Sequence, residues 1–361
     1  MSRVKKIVPG YILDLPPYPK GRQWRGEEKL IRLSSNENAL GPPSKVVEAI
    51  AGTLKHLHRY PDGTGRDLKL QLARKLGFSV ENFVVGNGSD EIFELVVRTF
   101  LQQGEEVLLP EPTFAFYRIA AQAHGGTCVS VPLREYKIDL VEISRRVTTK
   151  TKLIFLANPN NPTGTFFARS AFADFIARLP SDVVVVVDEA YGDYATDSAF
   201  PAYRDYQHWD RWIVTTKTFS KFYGLAGLRI GYGIGAKELI EQMEKVRQPF
   251  NVSLPALVGA QIALEDERHS RMTARMNAEG KEYFYRELDR LGVSFVPSEA
   301  NFVLIELGDQ APRIKDKLAK KGIVVRGMEG YGLARHLRIT IGLPEENRKF
   351  VEALEQCLRN S

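Results

Sequence analysis

The stretch SDVVVVVDEAY, Ser181 to Tyr191, constrains the fold more than any other. Successive residues of a strand point to opposite sides, so five consecutive valines make both faces apolar. Such a strand is stable only with both faces covered, as inside a parallel sheet flanked by helices. Asp188 and Glu189 then stand at its carboxyl end.

Other segments repeat the arrangement. TKLIFLANPNNPTG from Thr151 is a strand running into a loop, and WIVTT after Arg211 is another short apolar strand. NFVVGNGSDEIFELVVRTFL from Asn82 reads as strand, glycine turn and helix. Helical patterns such as RSAFADFIARL lie between the strands, so the alternation predicts an α/β fold with a doubly wound, mainly parallel sheet. Ligands of such sheets bind beyond the carboxyl ends of the strands, where Ser89, Asn161, Asp188 and Lys221 are expected to meet. From about Val252 the text changes to long helices followed by VSFVPSEANFVLIEL, GIVVRG and HLRITIG, which predicts a smaller α+β domain. The expected division is an N-terminal arm over residues 1–40 that helps cover the site, a large domain over 41–250 and a small domain over 251–361.

Composition narrows the function classes. Fifty basic residues against 44 acidic ones give a charge of +6, a mild excess without a Lys/Arg block, so no nucleic-acid partner is expected. Cys128 and Cys357 form no CxxC, which predicts neither a zinc site nor a disulfide framework. The longest aliphatic run is too short for a bilayer and the start lacks a signal-peptide core, so a cytoplasmic location without membrane contact is expected. GxGxxG and GxxxxGK[ST] are missing from the strand-to-helix turns, which argues against a nucleotide-binding fold.

The segment KTFSKFYGLAGLRIGYG, Lys217 to Gly233, places cations among small and apolar residues. Taken with a helix start at Ser89 and Asp90, where backbone N–H groups attract an anion, it suggests a phosphate site. A carboxylate at a buried strand end and a lysine in a Ser/Thr/Gly setting complete the needs of pyridoxal phosphate. That cofactor requires a phosphate cradle, a partner for its pyridine nitrogen and an amine.

In order, LSSNENALGPP, YPDG, GNGSDE, PTFAFY, NPNNPTG, DEAY, SKFYGLAGLRIGY, ANFVL and LRITIG make the chain resemble fold-type I aminotransferases of class I/II. Within them it is most similar to histidinol-phosphate aminotransferases, from Arg32 to about Gly342. The resemblance implies that Lys221 is the Schiff-base lysine, while Lys217 is a solvated or structural residue. It implies that Asp188 pairs with the pyridine nitrogen, and that Tyr191 and Asn161 bind the phenolic oxygen. Thr218, Ser220, Arg229 and the backbone at Ser89 and Asp90 would hold the phosphate, Arg229 in an apolar neighbourhood. Phe114 would stack on the ring, in a position where many of these enzymes carry tyrosine. Tyr60 would reach the phosphate of the other subunit, which implies a homodimer.

For substrate, the resemblance implies that Arg338 grips a carboxylate, that Arg326 holds a phosphate and that Asn36 borders the substrate. The implied reaction converts L-histidinol phosphate and 2-oxoglutarate to imidazole acetol phosphate and glutamate, a step of histidine biosynthesis. Relatives that transaminate aromatic amino acids or decarboxylate threonine phosphate use almost the same residues. The leader text PPYPKGRQWRGEE departs from the usual pattern where it would cover the site. A non-catalytic regulatory domain binding the same cofactor is the reading from another class; such proteins usually carry a fused DNA-binding module.

Overall fold

In the computed structural model, which describes residues 3–15, 30–201, 203–208 and 211–359, the valine run is a central strand. The PPYPKGRQWRGEE segment lies outside the described residues. In chain order the described strands are β1 (Ile31–Leu33), β2 (Phe83–Gly86), β3 (Glu106–Glu111), β4 (Thr127–Pro132), β5 (Thr151–Ala157), β6 (Val184–Asp188), β7 (Trp212–Thr218), β8 (Gly231–Gly235), β9 (Ser294–Val296), β10 (Phe302–Glu306), β11 (Ile323–Gly327) and β12 (His336–Thr340).

Seven of them form one sheet in the order β2-β8-β7-β6-β5-β3-β4. The pairs from β4 through β7 are parallel, whereas β8 runs antiparallel to both β7 and β2. The sheet is therefore mainly parallel, as the sequence predicts. Val184 and Val186 face a core with Phe93, Val96 and Phe155. Val185 and Val187 face the opposite core, with Phe172, Phe175 and Ile176. All four valines are at most 3% exposed, and burial of each contributes about 1.5–3 kcal/mol. This two-sided covering is why β6 tolerates no polar residue until Asp188.

The second sheet has the order β1-β11-β12-β10-β9 and is antiparallel except for β1, which runs parallel to β11. Its core is filled by Phe284 and Leu288, Ile314 and Leu318, and Phe350 and Leu354, from the helices Glu267–Arg290, Ala311–Lys320 and Pro344–Arg359. The helix Leu254–Glu265 packs instead with Val46, Leu68 and Leu72 beside the larger sheet, so that core continues past residue 250. Small residues allow this close fit: a side chain at Gly259 would stand 2.7 Å from Leu228 Cδ1. Among the described residues, no helix is long and apolar enough to cross a membrane.

Candidate active site

Beyond the carboxyl ends of β5, β6 and β7 lies a cavity of about 290 Å³, bounded on its other side by β11 and β12. Ser89, Asp90, Phe114, Asn161, Asp188, Tyr191, Thr218, Ser220, Lys221, Arg229, Arg326, Arg338 and Asn36 all line it. The expected residues thus converge, apart from Tyr60. That side chain is 82% exposed and stacks on Phe250 at 4.5 Å, away from its own chain's cavity.

One end of the cavity is built for an anion. The helix Gly88–Phe100 starts with Ser89 and Asp90 in its first turn, and the residue before it, Asn87, makes no side-chain cap. Unpaired N–H groups of this kind attract negative charge. Thr218 Oγ1 donates to Ser220 Oγ at 2.9 Å, and Arg229 Nη1 stands 3.4 Å from the same oxygen. The backbones approach closely here, since a Cβ on Gly88 would fall 2.6 Å from Arg229 Nη2 and one on Gly231 would fall 2.6 Å from Ser89 N. Gly88 also has φ +77°, a conformation that glycine adopts without strain. One expectation needs correction. Arg229 is not enclosed by apolar groups: its side chain is 46% exposed, because it closes the cavity mouth rather than the core. Asp90 also uses its carboxylate, 3.3 Å from Arg229 Nη2, besides presenting its backbone. Burial raises the Asp90 carboxyl against the pull of Arg229 and Lys221.

The floor carries the carboxylate. Asp188 Oδ1 accepts from Thr216 Oγ1 at 3.1 Å and from the Ala190 N–H at 3.0 Å, while Oδ2 accepts from Tyr117 Oη at 2.5 Å. Burial pushes this acid up to about 6 in spite of the three donors. Lys221 lies across the cavity, with Nζ donating to the Ser35 carbonyl at 3.0 Å. Burial brings its amine down to about 8, and Arg338 pushes it in the same direction. Lys217, by contrast, is not solvated. It is 5% exposed and lies 2.9 Å from Asp193 and 3.4 Å from Glu189. Burial alone would lower this ammonium, but the two carboxylates more than offset it and hold it well above the usual lysine range. Strand alternation explains the difference, because Thr216 and Thr218 of β7 face the cavity side while Lys217 between them points away.

The remaining wall joins the two sheets. Arg326 and Arg338 are direct partners in the β11–β12 register, so both side chains project from one face. Glu329, the acid nearest in sequence to Arg326, lies 2.7 Å from Lys315 and also feels the charge of Arg326. Arg338 donates to Asn161 Oδ1 through Nη1 and to the Ser34 carbonyl at 2.9 Å through Nη2. Asn36 is 1% exposed, has φ +55°, and donates from Nδ2 to Tyr191 Oη at 2.9 Å. Its Oδ1 accepts from Thr340 Oγ1 at 3.1 Å. Asn36 thus braces Tyr191 while lining the cavity. Sequence reasoning missed Tyr117, Thr216, Ser35 and Tyr331. Tyr117 stood within the quoted PTFAFY, three residues after Phe114, and that helical spacing was the available signal.

This donor set suits pyridoxal phosphate: an uncapped helix start with Arg229 at one end, a buried carboxylate on the floor and an amine of lowered basicity between them. Among the described residues no group of His, Cys, Asp and Glu could hold a metal ion.

Comparison with known proteins agrees with the geometry. The model of the aminotransferase class I and II family matches residues 28–354. The histidinol-phosphate aminotransferase of Moorella thermoacetica is 40% identical, with 96% of this chain and 92% of that protein aligned. That of Symbiobacterium thermophilum is 40% identical over 99% of this chain and 97% of its own. The crystal structure of histidinol-phosphate aminotransferase from Sinorhizobium meliloti in complex with pyridoxal-5'-phosphate superposes with a TM-score of 0.85, at 30% identity and 91% coverage of each chain.

Proposed function

Since the chain belongs to the aminotransferase class I and II family, we propose that it transfers the amino group of L-histidinol phosphate to 2-oxoglutarate, with pyridoxal 5'-phosphate as cofactor. The products are imidazole acetol phosphate and glutamate, a step of histidine biosynthesis. The observation that carries this reading is the paired Arg326 and Arg338 on one face, opposite Lys221 and Asp188 in a single cavity. Two guanidinium groups suit a phosphate dianion better than a lone carboxylate does.

When bound, pyridoxal phosphate supplies an aldehyde that takes up amines and a protonated ring that draws off electrons. The protein's own residues do the rest. Arg229, Thr218, Ser220 and the N–H groups of Ser89 and Asp90 hold the phosphate. Asp188, ionised above about 6, keeps the proton on the pyridine nitrogen, and Phe114 offers its ring face. Tyr191 already accepts a hydrogen bond from Asn36, so its own hydroxyl hydrogen is available to the phenolic oxygen, where Asn161 also donates. Lys221 Nζ, neutral above about 8, would take up and return the proton at the substrate's α-carbon. Arg338 grips the 2-oxoglutarate carboxylate, and Arg326 joins it on the phosphate. Tyr60, exposed on its own protomer, reaches the phosphate of a second copy, so the working unit is a homodimer, placed in the cytoplasm.

The test compares turnover of histidinol phosphate, phenylalanine and threonine phosphate, together with borohydride labelling. Histidinol phosphate should be the preferred donor, and borohydride should fix the cofactor to Lys221 but leave Lys221→Ala unlabelled. Faster turnover of phenylalanine would overturn the substrate assignment. Purified protein that stays colourless and takes up no cofactor would overturn the whole reading.

A further inference from the structure

The Asp188 carboxylate has a neighbour to which nothing so far assigns a task. Tyr117 is fully buried at the start of the helix Phe116–Ala123, yet its hydroxyl lies 2.5 Å from Asp188 Oδ2. Its ring is fixed on three sides, stacked on Phe155 at 5.1 Å and edge-on to Phe93 at 5.0 Å and Phe114 at 5.5 Å. A ring so confined cannot swing its hydroxyl to another acceptor, and the bond it makes is to a charged oxygen, the strongest class of neutral-donor bond. Thr216 and the Ala190 N–H occupy the other oxygen, Oδ1. Together the three donors leave the carboxylate one direction in which to act, into the cavity.

We propose that Tyr117 is a positioning residue that holds Asp188 ionised and aimed at the cofactor's ring by donating its hydroxyl hydrogen to Oδ2. This rests on the reading that Asp188 faces that ring. The bond favours the carboxylate over the acid, opposing the burial that pushes the acid up to about 6. Asp90 and Tyr191 are the other titratable groups acting on the pair, and neither donates to Asp188. The Tyr117 phenol itself is held well above its usual range, first by burial and then by Asp188, so it remains a donor at every working pH. Without it, the acid would hold its proton to higher pH, and a protonated Asp188 no longer stabilises a charged pyridine nitrogen.

Tyr117→Phe removes one oxygen and keeps the packed ring. The first measurement uses cofactor-free protein: the infrared carboxyl band that Asp188→Asn abolishes is followed against pH in wild type and Tyr117→Phe. Its midpoint should rise in the variant by about one to two pH units, the size of a hydrogen bond to a charged group. An unchanged midpoint overturns the proposal without touching the assignment of the cofactor. Loaded with cofactor, the variant should lose kcat at neutral pH, regain it as pH rises, and keep the wild-type KM for 2-oxoglutarate. A loss that is the same at every pH is a packing defect and overturns the proposal. If Tyr117→Phe does not fold, the wild type decides alone: a tyrosine ring band should shift as Asp188 takes up its proton, and a tyrosine spectrum constant through that titration refutes the bond.

Discussion

Replacing Arg326 by alanine separates a phosphate-binding arginine from a structural one. Arg326 and Arg338 are paired across β11 and β12, where facing Cβ atoms stand about 4.5–5.5 Å apart. Both arginines line the same cavity, where a dianion can bridge their guanidinium groups. A charge-assisted bond lost at this site costs about 1.5–3 kcal/mol, or roughly 10- to 150-fold in kcat/KM for histidinol phosphate. The 2-oxoglutarate carboxylate carries half the charge of a phosphate dianion, so its loss scales to about the square root, roughly 3- to 12-fold. Initial rates with each substrate varied against the other give the two kcat/KM values separately, because an enzyme that releases one product before binding the second substrate yields parallel lines. Equal losses on both substrates would refute the reasoning, and no loss on either would place the phosphate elsewhere.

Two further outcomes follow from the buried charges. The Lys221 amine, brought down to about 8, is mostly neutral above that pH, so capture of added pyridoxal phosphate by cofactor-free protein should climb to a plateau with a midpoint near 8. A midpoint near the ordinary lysine value of about 10.4 in stopped-flow absorbance would show that the amine is not desolvated. Lys217→Met should cost about 3–5 kcal/mol of stability in urea unfolding, because it leaves Glu189 and Asp193 without their cation, while Lys221 is still labelled by borohydride. A change under about 1 kcal/mol would mean that solvent reaches that cluster.

The fold was legible because its strongest signals are local. Five valines ending in an aspartate fix a doubly covered strand and the place where its chemistry begins, and the strands on either side repeat the form. Ser89, Asn161, Asp188 and Lys221 were legible because each follows a strand that the periodicity marks, whereas the parts of Phe114, Tyr191, Thr218, Ser220 and Arg229 came from the resemblance to class I/II aminotransferases. What stayed hidden depends on side-chain direction and on partners distant in sequence. Lys217 and Lys221 look alike in KTFSK, but Lys217 lies within β7 and points to Asp193, whereas Lys221 lies in the turn beyond the strand's end and enters the cavity. Tyr117 reads as another aromatic at a helix start until its hydroxyl is seen on an acid 71 residues away. The exposure of Arg229 follows from where the cavity opens, which no stretch of sequence records.

The bonds of Asn36 tie the two ends of this chain together at the cavity. Asn36 meets Thr340 across a separation of 304 residues, and β1 just before it pairs with β11. A ribosome therefore releases Lys221 more than a hundred residues before Arg338 arrives to lower the basicity of its amine and Thr340 arrives to brace Asn36 against Tyr191. The wall of the cavity that carries Arg338 is the last strand of the chain, so a chain cut before β12 would lack both that cation and the Thr340 bond to Asn36.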